Sequence, residues 1–141
     1  MKQIRFFIED TTFQLRQKNK LRLWITDTIE NNNKQLLNLN YIFTSDQFLL
    51  DINRDFLHHD TYTDIITFDQ SSDSKAIEAD IYISIDRIKE NAANLQVRLI
   101  DELHRVMIHG VLHLLGYKDK SESQKREMRK KEDHYLALRN I

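Results

Sequence analysis

Hydrophobic positions along this chain recur at two different spacings, and the switches between them outline its elements. Ile4 to Ile8 reads as a first strand, with Asp10-Thr11-Thr12 as the polar start of a helix. From Phe13 to Ile29, Leu15, Leu21, Trp24 and Ile25 fall mostly at helical spacing, and Asn31-Asn32-Asn33 breaks the run. Leu37 to Phe43 alternates apolar and polar residues over much of its length, as a half-buried strand does. Ser45-Asp46 is a helix cap ahead of Phe48, Leu49, Ile52 and Phe56. Thr63 to Phe68 is β-branched and reads as a strand, Gln70 to Lys75 as a polar loop, and Ala79 to Ile85 as another strand. Helices are expected near 85–95, over 97–115, and from about Ser121 to Leu138.

The resulting order, β-α-β-α-β-β-α-α-α, predicts an α+β fold: a mixed four-stranded sheet packed with about five helices. Segments such as Ile65-Ile66 and Ile81-Tyr82-Ile83 need such a sheet to pack into. A length of 141 residues and 40% hydrophobic content suit a single domain over residues 1–141 with a real core. There is no cysteine, which excludes disulfides and thiolate ligands and fits a reducing compartment. The N-terminal stretch has no apolar run long enough for a signal peptide, and no segment reaches the length of a membrane span. A cytoplasmic location with no membrane partner is the expectation.

Net charge is −1, so no global basic field advertises nucleic acid, but the charge is uneven. Arg16, Lys18, Lys20 and Arg22 meet no acid between Thr11 and Thr26. From Lys118 to Lys131, seven basic residues face only Asp119, Glu122 and Glu127. Taken singly, each stretch is most simply a solvated helix face; together they are two basic surfaces able to track a phosphate backbone.

The chemistry concentrates in His109-Gly-Val-Leu-His113-Leu-Leu-Gly116-Tyr-Lys-Asp119. Residues four apart on a helix lie about 40° apart around its axis, so both imidazoles can reach one ion. The chain's two glycines both lie here. Gly116 follows a long apolar run, where a left-handed residue ends a helix and turns the chain back, bringing Asp119 toward the same ion. Gly110 sits inside the helix at a cost of about 1 kcal/mol, which points to close approach by another element. Two imidazoles and a carboxylate suit one catalytic zinc ion per chain, with a fourth position left for water; the same set also serves non-haem iron. A bare pair of histidines at this spacing is often just two partly buried side chains, and the glycine stop with Asp119 shifts the balance toward a metal.

Zinc peptidases place a glutamate base directly after the first histidine, and this chain has Gly110 there. The group that activates water is therefore unassigned. Glu102, two turns before His109, is either an acceptor for an imidazole N–H or an exposed residue at a helix start. His104 is displaced around the helix from His109, and His58, His59 and His134 read as surface histidines.

These residues resemble a known family. The stretch His109 to Tyr117 resembles the H-G-x-L-H-L-x-G-Y-D-H signature of the YbeY family, bacterial zinc-dependent endoribonucleases of ribosomal RNA maturation. Ile52-Asn53-Arg54, Thr63 to Phe68 and Ala79-Asp80-Ile81 resemble its L-N, P-T-(N/D)-V-L-S-F and G-D-I segments. The resemblance implies a zincin-like metal helix and a single-strand-specific endoribonuclease. Its partners would be ribosomal RNA precursors and the small ribosomal subunit or its proteins, in subunit maturation and ribosome quality control. It also places Asp80 in the G-D-I position, where it either orients substrate or water or makes a strand-end hydrogen bond, and leaves Arg54 as a substrate-binding candidate to which the family's phosphate contact does not carry over cleanly. Three departures stand out. Asp119 replaces the usual third histidine, which should make water at the ion less acidic. Lys118 replaces the aspartate before it, and Leu57 stands where the family has an arginine, with Arg54 nearby but out of register. Two alternatives keep the same ligands: a metal-stapled assembly factor with little catalysis, and a zinc hydrolase of another substrate.

Overall fold

The computed structural model describes residues 3–141; Met1 and Lys2, which begin the stretch weighed as a signal peptide, lie outside the described residues. The elements are β1 (Ile4–Glu9), α1 (Lys18–Asn31), β2 (Gln35–Thr44), α2 (Asp46–Leu57), β3 (Ile65–Asp69), β4 (Ala76–Ser84), α3 (Ile85–Leu95), α4 (Leu99–Leu114) and α5 (Glu122–Leu138). They form one four-stranded sheet in the order β1-β2-β4-β3. β1, β2 and β4 run parallel, and β3 pairs antiparallel with β4 as an edge strand, giving the mixed α+β architecture.

Strand parity decides what faces what. On β4, Ala79, Ile81 and Ile83 are fully buried and join Leu39, Tyr41 and Phe43 of β2 in the main core. Helices α1, α3, α4 and α5 supply its other side through Leu21, Trp24, Ile25, Ile88, Met107, Val111, Met128 and Tyr135. The intervening β4 residues Asp80 and Tyr82 point to the opposite face. There Ile52 and Phe56 of α2 lie beside Phe68 and Tyr82, in edge-on aromatic contacts of 6.2 and 5.7 Å.

The first helix differs from expectation. It begins at Lys18, because residues 11–17 run irregularly, with Phe13 packed on the Phe43 ring at 5.3 Å and Leu15 in the core. Burial two residues apart, not helical spacing, accounts for these apolar positions. Asp10, read as part of the helix start, has φ 57° and accepts from the Ser45 hydroxyl at 2.7 Å. The Ser45 cap forms as expected, its side chain accepting from Phe48 N–H at 3.1 Å. Ser121 and Gln124 form a capping box that starts α5.

Candidate metal centre

Helix α4 owes its placement to its apolar stripe. Leu103, Val106, Met107, Val111 and Leu114 are buried against the sheet and neighbouring helices. Between them Gly110 lets the helix ride close over β3 and β4: a Cβ there would lie 2.9 Å from Ile65 Cδ1 and 3.0 Å from Ile81 Cδ1. That close approach accounts for a glycine in mid-helix. It seats His109 and His113 over the open edge of β3, with ring centroids 4.5 Å apart. Two clefts of about 390 and 490 Å³ share Thr63, Ile65 and Thr67 of that edge, and the larger is lined by the two histidines with Asp64 and Asp119.

The helix ends in a Schellman turn. Gly116 takes φ 106°, its N–H donates to His113 O at 3.0 Å, and Tyr117 N–H donates to Leu112 O at 3.0 Å. This turn carries Asp119 back over the helix. Asp119 Oδ2 lies 3.2 Å from His113 Nε2 and 3.3 Å from His109 Nε2, and donor atoms of all three side chains fall within 4.8 Å of one another. The turn also orients an imidazole. Tyr117 O, 3.0 Å from His113 Nδ1, can only accept, so Nδ1 carries the proton and the Nε2 lone pair faces the cleft.

His109 is held the same way by a different element. Its Nδ1 lies 2.6 Å from Glu132 Oε2 on α5, and Glu132 is 5% exposed. Arg105 Nη1 donates to the other oxygen at 2.9 Å, and Arg105 Nη2 reaches Asp133 at 3.0 Å. Two Nε2 atoms thus meet a carboxylate oxygen, an arrangement that repels itself unless a proton or a metal ion sits among them. Donors bound to tetrahedral zinc at ordinary lengths lie about 3.3–3.5 Å apart; the imidazole–carboxylate separations of 3.2 and 3.3 Å come close to this, and all three donor atoms lie within 4.8 Å of one another. The donor set fits a divalent ion.

The surrounding charge favours a cation as well. Burial opposes the charged form of His109, but the Glu132 hydrogen bond and the charges of Glu132, Asp119 and Asp64 outweigh it and raise its pKa. Burial pushes Glu132 upward too, yet His109 and Arg105 win and hold it below the ordinary carboxylate range. Burial raises the Asp64 carboxyl, with His109 opposing. Glu102 is likewise raised by burial, partly offset by Arg105.

The remaining sequence-derived candidates fall elsewhere. Asp80 is on the other face of the sheet from His109 and His113, because its strand neighbour Ile81 is the residue that meets Gly110. It accepts from Asn40 at 3.0 Å and lines a separate cleft with Phe56, Phe68 and Tyr82. Asp80 therefore stands apart from the three candidate ligands, and its carboxylate makes a hydrogen bond within the sheet. Arg54 is exposed on the last turn of α2 and paired with Asp60, outside the metal cleft. Leu57 does line the groove next to it, with His59, Tyr62 and Thr63. Glu102 matches neither expectation: it is buried, and it is Glu132 that meets His109. His104 is buried against Trp24 and Arg139, away from the ligands. Glu132 was missed, although an acidic residue between Met128 and Tyr135 on the buried stripe of α5 is a signal for a paired interior carboxylate.

Comparison with known proteins agrees with this geometry. The family described as Endoribonuclease YbeY matches residues 5–140. The chain is 55% identical over 136 residues to Endoribonuclease YbeY of Cytophaga hutchinsonii, covering 96% of this chain and 95% of that protein. It is 49% identical over 138 residues to Endoribonuclease YbeY of Amoebophilus asiaticus, covering 98% and 94%. Among solved structures, the solution structure of TM1509 from Thermotoga maritima aligns with a TM-score of 0.65 at 25% identity, covering 94% of this chain and 86% of that one.

Proposed function

The chain belongs to the endoribonuclease YbeY family, and from that premise we propose that it is a metal-dependent endoribonuclease acting on single-stranded segments of ribosomal RNA precursors. Its whole length, residues 1–141, serves as one catalytic domain. The observation that carries the reading is the convergence of His109 Nε2, His113 Nε2 and Asp119 Oδ2 in one cleft, with both Nδ1 protons committed elsewhere. These three side chains would hold a single zinc ion. When bound, such an ion polarises a phosphoryl oxygen and lowers the pKa of water at neutral pH.

The chain's own residues supply the rest. Thr63 and Thr67 place hydroxyl side chains along the cleft. Lys118 and Lys120 flank Asp119, and Lys125, Arg126, Arg129 and Lys130 are exposed on α5. That basic surface suits the phosphate backbone of a single strand. In the cell the protein would act in the cytoplasm on the small ribosomal subunit during its maturation and quality control; among the described residues no helix is long and apolar enough to cross a membrane. The test uses purified zinc-loaded protein and an RNA carrying a small-subunit precursor end. The wild type cleaves it and His113→Ala does not; equal cleavage by the variant would contradict the reading.

A further inference from the structure

We propose that Glu132 is a positioning residue for the metal, setting its affinity through His109 from a helix that carries no ligand. The inference rests on the metal-centre reading above. A metal-ligating imidazole almost always donates its other ring N–H to an acceptor, which fixes the ring's tautomer and orientation and also sets how basic the ligand is. His113 is fixed by a backbone carbonyl, a neutral acceptor supplied by its own helix turn. His109 is fixed by a carboxylate at 2.6 Å. The two ligands are therefore unequal: a carboxylate acceptor makes the His109 imidazole the more basic of the two.

The clamp is built to hold one geometry. Both Glu132 oxygens are engaged, one by His109 and one by Arg105 at 2.9 Å, so the carboxylate has no free rotation. Met128 and Tyr135, one turn either side of it on α5, are buried in the main core and fix where that helix lies. Arg105 projects from the turn of α4 before His109 and also reaches Asp133, again on α5. Glu102 provides the internal contrast. It too is a buried carboxylate on α4, but its Oε1 has no hydrogen-bond partner and it stands 4.0 Å from Arg105. Burying a carboxylate beside this arginine is thus not enough to orient an imidazole; the direction of Glu132 does that.

The experiment is a zinc competition titration against a chromophoric chelator, on the full chain. Glu132→Gln keeps the shape but removes the charge, and zinc affinity should fall on the order of 10–100-fold. Met128→Ala loosens the same buried face of α5 and should lower the melting temperature while leaving zinc affinity within about twofold of wild type, since it touches no ligand. Wild-type affinity in Glu132→Gln would overturn the proposal, and so would an equal loss in Met128→Ala, which would reduce Glu132 to a packing role. A measurement on the wild type alone guards against misfolding of the variant. Long-range proton–nitrogen NMR of the zinc-loaded protein should show His109 protonated on Nδ1; protonation on Nε2 would overturn the proposal. If instead His113→Ala binds zinc as tightly as wild type, the metal-centre reading itself fails.

Discussion

The two faces of the sheet carry carboxylates in opposite circumstances. On the α4 side, Asp119 closes on two imidazoles whose outer nitrogens are already tied down, leaving a site shaped for a cation. On the other side, Asp80 accepts from Asn40 amid Phe56, Phe68 and Tyr82 in an open cleft with no histidine lining it. One residue of strand register separates Asp80 from Ile81, which underlies the metal helix. A carboxylate in a suggestive motif is therefore not at the chemistry until its strand parity is known.

Removing a ligand should separate the faces most sharply. His113→Ala should abolish zinc retention and RNA cleavage, whereas Asp80→Asn should retain one zinc per chain by elemental analysis; zinc loss in the latter would place Asp80 at the ion after all. Next comes the support of the α4 side. Arg105→Ala leaves the buried Glu132 with His109 as its remaining partner, and urea unfolding should show a loss of about 1–3 kcal/mol. The buried His104, just before Arg105 on α4, adds a pH dependence. Burial, and then the Arg139 charge, depress its pKa to about 4. A base whose folded pKa lies below its unfolded value near 6.5 favours folding above that value, and this contribution is lost as pH falls toward 4. The loss amounts to at most about 3 kcal/mol. The fall in stability between these pH values should be smaller by that part in His104→Gln.

Gly110→Ala tests the close approach itself. Its methyl group would press on Ile65 and Ile81, and the expected cost is about 1–3 kcal/mol in urea unfolding. No loss would mean that the helix can lift off the strands freely. The smallest effect belongs to the basic surface: Lys125→Ala with Arg126→Ala should weaken RNA binding at low salt and reduce the salt slope by about 0.7 for each phosphate that is no longer neutralised. An unchanged slope would place the RNA elsewhere.

Much of this arrangement was legible in the sequence because it depends on local rules. Spacing put His109 and His113 on one side of a helix, and Gly116 announced the turn that returns Asp119. Gly110 signalled an intimate packing partner without naming it; Ile65 and Ile81 emerge only when β3 and β4 pair. What stayed hidden depends on contacts between distant segments. Glu132 lies 23 residues from His109, and only the docking of α5 on α4 joins them. Phe13 and Leu15 misled at helix spacing because the core, not local propensity, holds them.

The central claim is that two imidazoles and Asp119 share one ion. Anomalous diffraction at the zinc edge, on crystals of the zinc-loaded protein, tests it most directly. The account predicts one strong peak per chain within bonding distance of His109 Nε2, His113 Nε2 and an Asp119 oxygen. A peak on the Asp80 face, or one at the histidines with Asp119 turned away, would contradict it.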